Sequence, residues 1–228
     1  MEDTAKKSVP LTRIQRLIGE RMLKSKRTKP CFYIKAKADM TELMDLRRKL
    51  GKSLGIKITS NTFLIRALAM AAREFPAMLG RLAGDKLVIA DAINVGFAVN
   101  SSQGLVVPVI RNADKKTLAE IAELDILLTD KARHNKLTLA DLEGETIAFS
   151  NLGAFGIDSF IGIAPPPTST ILSAGNVVRT IVPCQGRPEV RKVAELWLAV
   201  DHSAIDGAYA ARFLSFIAKQ LQNPQRLI

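Results

Sequence analysis

Asp201-His202-Ser203-Ala204-Ile205-Asp206-Gly207 separates two opposite periodicities. Before it, Val193-Ala194-Glu195-Leu196-Trp197-Leu198-Ala199-Val200 is an apolar run of the kind that forms a buried strand. After it, Phe213, Leu214, Ile217 and Leu221 recur at helical spacing within residues 208–221. The chain therefore ends as strand, turn and amphipathic helix, with one of its two histidines at the junction. A histidine at a strand end is a usable acid or base near neutral pH. Asp206, four residues on, could orient it, and Gly207 lets the chain turn tightly. On these residues alone a second reading stands beside the first. Asp206 suits the N-cap of the closing helix, and His202 suits an ordinary strand end.

The rest of the chain reads in the same alternating manner. Thr12-Arg13-Ile14-Gln15 has the form of a capping box, and Ile14, Leu17, Ile18 and Met22 follow at helical spacing until Pro30 breaks the pattern. Residues 31–39 alternate Phe32, Ile34, Ala36 and Ala38 against Tyr33, Lys35 and Lys37, which predicts a half-exposed strand. Thr41 is the expected cap of a second helix carrying Leu43, Leu46 and Leu50, ended by Gly51 and Gly55. Residues 59–75 predict a buried helix stopped by Pro76, and residues 117–136 a long charged one. Strands are expected over 87–90, 93–99, 105–110, 147–149, 170–174, 177–182 and 190–200. The expected organisation is a flexible arm over residues 1–9 and a single domain over 10–228. Its fold class is α/β, a two-layer sandwich of a mixed β-sheet packed against helices. No Gly-x-Gly-x-x-Gly and no P-loop is present, which argues against the usual nucleotide folds.

Composition narrows the partners. The chain has 228 residues, 47% of them hydrophobic, enough for one substantial core. No apolar run reaches membrane-spanning length, and no secretory signal opens the sequence, so neither a membrane nor export is expected. Cys31 and Cys184 stand far apart without metal-ligand spacing, which suggests a reducing cytoplasm and no metal. The net charge is +11, but the cations are scattered, and the densest run, residues 21–29, has no aromatic interleaved. Nucleic acid is therefore not expected as a partner, while an anionic cofactor fits the charge equally well. His134, at the end of a charged helix, reads as a surface residue.

Several blocks then carry a resemblance. They are Val9-Pro10-Leu11-Thr12, Ile18-Gly19-Glu20-Arg21-Met22 with Ser25, Glu74-Phe75-Pro76 and Gly104-Leu105-Val106-Val107-Pro108-Val109-Ile110. Phe149-Ser150-Asn151-Leu152-Gly153 follows, then Asp201-His202 with Asp206-Gly207-Ala208, and Ala211-Arg212-Phe213-Leu214. Over almost its whole length the chain resembles the catalytic core of the dihydrolipoamide acyltransferases, the acyl-transferring component of 2-oxoacid dehydrogenase complexes. The resemblance implies a chloramphenicol acetyltransferase-like fold and acyl transfer between a dihydrolipoyl thiol and coenzyme A. It places His202 as the base that takes the thiol proton, Ser150 as the oxyanion donor, and Asp206 as the residue holding the geometry around His202. Asn151 and Gly153 are the candidate coenzyme A contacts. It further implies a homotrimer whose sites join His202 and Ser150 of neighbouring subunits, assembled into a larger cubic cage. The partners would be a lipoyl domain, borne here on a separate domain or protein, and the decarboxylase and dihydrolipoamide dehydrogenase components.

Three positions depart from the family pattern. Ser203 follows the motif histidine where the family usually has Arg, Gln15 stands for another Arg, and Leu79 stands for Asn. Without those arginines Asp206 is expected to lack its usual charge partner, and an unpaired buried carboxylate is costly. Two alternatives are therefore carried forward: a free-standing coenzyme A-dependent acyltransferase acting on a small molecule, and a catalytically weakened oligomeric scaffold. The apolar side chains of the closing helix and the tail Leu227-Ile228 are expected to serve subunit contacts.

Overall fold

A computed structural model of the chain describes residues 8–102 and 104–228, so most of the expected N-terminal arm lies outside the described residues. Hydroxyl caps start the helices where the sequence places them. Helix α1 spans Arg13–Thr28. Thr12 Oγ1 accepts the Gln15 N–H at 3.1 Å, and Gln15 Oε1 accepts the Thr12 N–H at 2.9 Å. Thr59 caps α3 (Ser60–Glu74) and Thr117 caps α4 (Leu118–Arg133) with the same reciprocal pattern. Each such cap is worth about 1 kcal/mol. Helix α2 (Thr41–Leu54) differs from expectation. Its cap position is Met40, and the Thr41 hydroxyl instead accepts the Lys192 N–H, tying the helix to the strand behind it. Gly51 lies inside α2, and the left-handed Gly55 ends it. A short α5 (Leu139–Leu142) was not expected; α6 (Gly207–Gln222) closes the chain.

The strands form a mixed six-stranded sheet. Its order is β1 (Cys31–Asp39), β10 (Arg187–Asp201), β9 (Thr170–Cys184), β8 (Ile147–Asn151), β4 (Val95–Phe97) and β7 (Val109–Ile110). The β9–β8–β4 steps are parallel and the others antiparallel. Two hairpins flank it: β2 (Gly80–Ala83) with β3 (Lys86–Ile89), and β5 (Val99–Ser101) with β6 (Gly104–Val106). Residues 170–174 and 177–182, expected as two strands, are the single strand β9. Gly175 and Asn176 look like turn residues, but Gly175 stays in the strand. A Cβ there would collide with the Asp158 carbonyl, so the glycine admits a crossing backbone rather than a turn.

One face of the sheet carries Ile34 and Ala38 of β1, Leu196, Leu198 and Val200 of β10, and Phe149 of β8 into the main core beneath α3 and α6. Most of the apolar side chains expected to serve subunit contacts are used within the chain. Phe213, Leu214, Ile217 and Leu221 are buried in their own subunit, as is Leu227 at 0% exposure, whereas Phe216 is half-buried and Ile228 protrudes. A buried side chain of that size contributes about 1.5–3 kcal/mol, so the fold itself accounts for this apolar stripe. On the opposite face Ala148, Ile171, Ser173 and Ala199 are buried beside Ala164, while Ser150 and Trp197 stay half-buried, so this face is partly covered. Over the 164–168 segment lies α1, held by Ser25 Oγ on the Ala164 carbonyl (2.6 Å) and by Arg21 on the Pro166 carbonyl (2.7 Å) and Glu145 (3.0 Å). Among the described α1 side chains only Ser25 is buried, while Leu17 and Leu23 face outward.

Candidate active site

His202 follows the last residue of β10. Its N–H donates to the Pro30 carbonyl at 3.1 Å, and its exposed ring leans on Phe32, with centroids 4.8 Å apart. The preceding carboxylate, Asp201, is buried at 5% exposure. Its Oδ1 accepts the Ser203 N–H at 3.0 Å and, at short range, the Ser203 hydroxyl. Ser203 thus supplies two hydrogen bonds to a buried carboxylate from the position where the resemblance expects arginine. Burial lowers the pKa of nearby Lys29, against the opposing pull of Cys31 and Asp201. Burial likewise pushes the Cys31 thiol up, and Asp201 adds to the effect.

Asp206 turns away from His202. Its Oδ1 accepts the Tyr209 N–H at 2.8 Å and caps α6, and no hydrogen bond joins it to His202 among the described residues. Because Asp206 is exposed, the missing arginines leave no stranded buried charge there. The Gln15 side chain is engaged by its own capping box, and Leu79 is buried in the main core. His134 sits at the surface against Asp130.

Ser150 lies on the partly covered face, opposite Ser173 of β9, and its hydroxyl makes no hydrogen bond among the described residues. The register fixes how far it stands from the histidine. Asp201 bonds Ser169, four residues before Ser173, and lies two strand spacings from β8, which makes about 16 Å between Asp201 and Ser150. A reacting carbon must approach both catalytic groups to about 3 Å, so one chain's His202 and Ser150 do not converge on a common atom. Asn151 points the other way, with Nδ2 on Asn61 Oδ1 at 2.7 Å and Oδ1 accepting the Gly153 N–H at 2.7 Å. A Cβ on Gly153 would lie 2.7 Å from the Gly175 carbonyl, so this glycine serves backbone packing.

The structure adds a feature the sequence reading missed. A groove of about 700 Å³ between α2 and the 56–58 segment after it is lined by Arg47, Arg48, Lys49, Lys52 and Lys57, with Asp45 as its carboxylate. Asp45 holds Arg48 at 2.6 Å and Lys192 at 3.3 Å, which leaves Arg47, Lys49, Lys52 and Lys57 without ion pairs among the described residues. Lys57 also lines a second cavity of about 280 Å³ with Thr59, Asn61, Asp125 and Arg133. Burial pushes the Asp125 carboxyl up, opposed by hydrogen bonds from Thr59 and Thr129. The groove's signal in the sequence was the cation-rich stretch 47–57, but interleaved with Leu46 and Leu50 it reads as the solvated side of an amphipathic helix.

A mixed six-stranded sheet packed against helices, with a histidine just beyond the end of β10, gives the chain a chloramphenicol acetyltransferase-like fold. Chloramphenicol acetyltransferase itself superimposes with a TM-score of 0.52 at 17% identity, over 90% of this chain and 92% of that one. More narrowly, residues 3–228 match the family model of the 2-oxoacid dehydrogenases acyltransferase (catalytic domain), and the chain belongs to that family. The acetyltransferase component of the Rickettsia bellii pyruvate dehydrogenase complex is 32% identical over 223 residues, 96% of this chain and 53% of that protein. The Bacillus subtilis lipoamide acyltransferase of the branched-chain complex is 34% identical, over 95% of this chain and 52% of that protein. The chain thus spans about half the length of the curated relatives it matches. Among solved structures, dihydrolipoamide acetyltransferase of Azotobacter vinelandii has a TM-score of 0.93 at 31% identity, over 100% of this chain and 97% of that one. The cubic core of the pyruvate dehydrogenase multienzyme complex matches with the same values.

Proposed function

We propose that the chain transfers an acyl group between a dihydrolipoyl thiol and coenzyme A, in active sites shared between copies of the chain. The observation that carries this reading is the separation of about 16 Å between Asp201, which precedes the exposed His202, and the half-buried Ser150. His202 of one copy and Ser150 of its neighbour can face one thioester where those of a single copy cannot. The imidazole takes the proton of the attacking thiol as its sulfur bonds the thioester carbon. The Ser150 hydroxyl donates to the resulting oxyanion, a contribution of about 3–4 kcal/mol. Collapse breaks the other carbon–sulfur bond, and the departing thiolate takes the proton back from the imidazolium. The Azotobacter enzyme's catalytic study concerns a serine, a histidine and an asparagine spaced along that chain as Ser150, His202 and Asp206 are here.

Coenzyme A is a polyanion, and the basic groove's Arg47, Lys49, Lys52 and Lys57, without ion pairs among the described residues, suit its phosphates. Lys57 links that groove to the cavity containing Asn61, and Asn61 touches Asn151, next to Ser150. Assembly as trimers within a cubic cage, service by a lipoyl domain, and pairing with decarboxylase and dihydrolipoamide dehydrogenase components belong to the same reading. No helix among the described residues is long and apolar enough to cross a membrane. A reducing cytoplasm, in which Cys31 and Cys184 stay free thiols, suits the chemistry.

The test is acetyl-CoA with dihydrolipoamide as acceptor, following free coenzyme A. Dihydrolipoamide-dependent release that His202→Ala abolishes is the expected result. An intact oligomer with no transfer supports the scaffold alternative. Transfer confined to other small acceptors supports the free-standing acyltransferase.

A further inference from the structure

We infer that Asn61 is a positioning residue for this reaction, holding Asn151 and, through it, the end of β8 that presents Ser150. The inference rests on the acyl-transfer reading above.

The Ser150 hydroxyl makes no hydrogen bond among the described residues, so its place depends on the backbone that carries it. That backbone is pinned from two sides. On the sheet side, the Leu152 N–H donates to the Ala174 carbonyl at 3.2 Å, and Gly153 packs on Gly175 and Asn176. On the helix side, the pin is Asn151. Both ends of its amide are engaged, Oδ1 by the Gly153 N–H and Nδ2 by Asn61 Oδ1, each at 2.7 Å. The first bond is local to the turn. Only the second ties the turn to another element.

That element is rigid. Asn61 is in the first turn of α3, whose residues 62–65, 67–69, 71 and 72 are all buried. The helix start is fixed by the Thr59–Thr62 capping box, and Thr59 Oγ1 also donates to buried Asp125 at 2.9 Å. The strand end bearing Ser150 is thus braced against the core through one side-chain hydrogen bond. An oxyanion donor works only at the right distance, and misplacement by about 1 Å can reduce turnover by about 10²-fold. The bond requires an acceptor at Asn61. Asn61→Asp keeps one, in a helix first turn where an acid is tolerated well, and Asn61→Ala does not.

The experiment measures kcat and KM for coenzyme A on the assembled protein, for Asn61→Ala, Asn61→Asp, Ser150→Ala and the Asn61→Ala/Ser150→Ala pair. Asn61→Ala should lower kcat by about 10-fold to 10²-fold, with KM changed by less than about 2-fold. Asn61→Asp should restore most of the loss. In the Ser150→Ala background Asn61→Ala should cost less than about 2-fold more, since the residue it positions is already gone. Should Asn61→Ala fail to assemble, Asn61→Ser carries the same comparison, because it suits a helix start but is too short to reach Asn151. Full multiplicative losses in the double variant, an equal loss in Asn61→Asp, or an unchanged kcat in Asn61→Ala would each overturn the inference. An inactive wild-type oligomer overturns the acyl-transfer reading, and this inference with it.

Discussion

Two inactive variants should make an active mixture. His202→Ala removes the base, a loss of about 10²–10⁴-fold, and Ser150→Ala removes the oxyanion donor, a loss of about 10²–10³-fold. Each alone should then keep no more than about 1% of wild-type turnover. The register puts Asp201, next to His202, about 16 Å from Ser150 in one chain, so a working site takes one catalytic residue from each of two neighbours. In cyclic trimers drawn at random from an equimolar mixture, a junction pairs an intact His202 with an intact Ser150 in about one quarter of cases. Co-expressed variants carrying different tags, purified as mixed oligomers, should therefore show about 25% of wild-type activity in the coenzyme A release assay. Separately expressed variants mixed without subunit exchange should stay near 1%, and they serve as the control. A mixed oligomer no more active than the mean of its parents would refute the shared site and the separation on which it rests.

Other expectations follow from the same geometry. Ser150→Ala should lower kcat with little change in KM, because the hydroxyl acts on charge that develops in the transition state; a pure KM effect in steady-state kinetics would reassign it to binding. Reversing charge with Lys52→Glu and Lys57→Glu together should raise KM for coenzyme A by about tenfold, an effect that shrinks in high salt; an unchanged KM would remove the groove from the ligand path. Leu227→Ala should lower stability by about 2–5 kcal/mol, whereas deleting Ile228 alone should leave the melting temperature nearly unchanged; calorimetry distinguishes the two. Asp125 binds its proton more tightly folded than unfolded, because burial raises its folded pKa. Its contribution to stability therefore falls as pH rises from about 3.9, the unfolded value, through the raised folded value. Asp125→Asn should remove that slope from denaturation curves measured across the interval, and a slope that persists would assign it to another group.

The sequence was legible where local chemistry and the fold agree. Thr12, Thr59 and Thr117 begin helices because a hydroxyl and a side chain three residues on can satisfy the first free N–H groups without help from elsewhere. It misled where the deciding partner is remote in sequence. Thr41 looks like a cap but binds Lys192, and Gly175 looks like a turn but admits the Asp158 backbone. The apolar residues of α6 gave the period of a buried face without saying whose core they enter, and their own subunit takes them. For the site, the strand–turn–helix pattern located His202, and the capping reading of Asp206 is the one the geometry shows. Ser150 was reachable only through the family resemblance, since a serine near a strand end carries no periodic signal. The basic groove joins cations from α2 with Lys57 before α3, and no pattern along the chain marks that convergence.

Helix α1 has a thermodynamic consequence. It is fastened to the rest of the chain by polar side chains, with Ser25 its only buried described residue, while Leu17 and Leu23 face solvent. A helix held this way has little local free energy keeping it folded in an isolated chain, and its amides should be among the first to exchange with deuterium. Any neighbour that covers those leucines also supplies the apolar burial that α1 lacks. Association would then include a disorder-to-order step, and its heat capacity change should be more negative than docking of two rigid surfaces predicts.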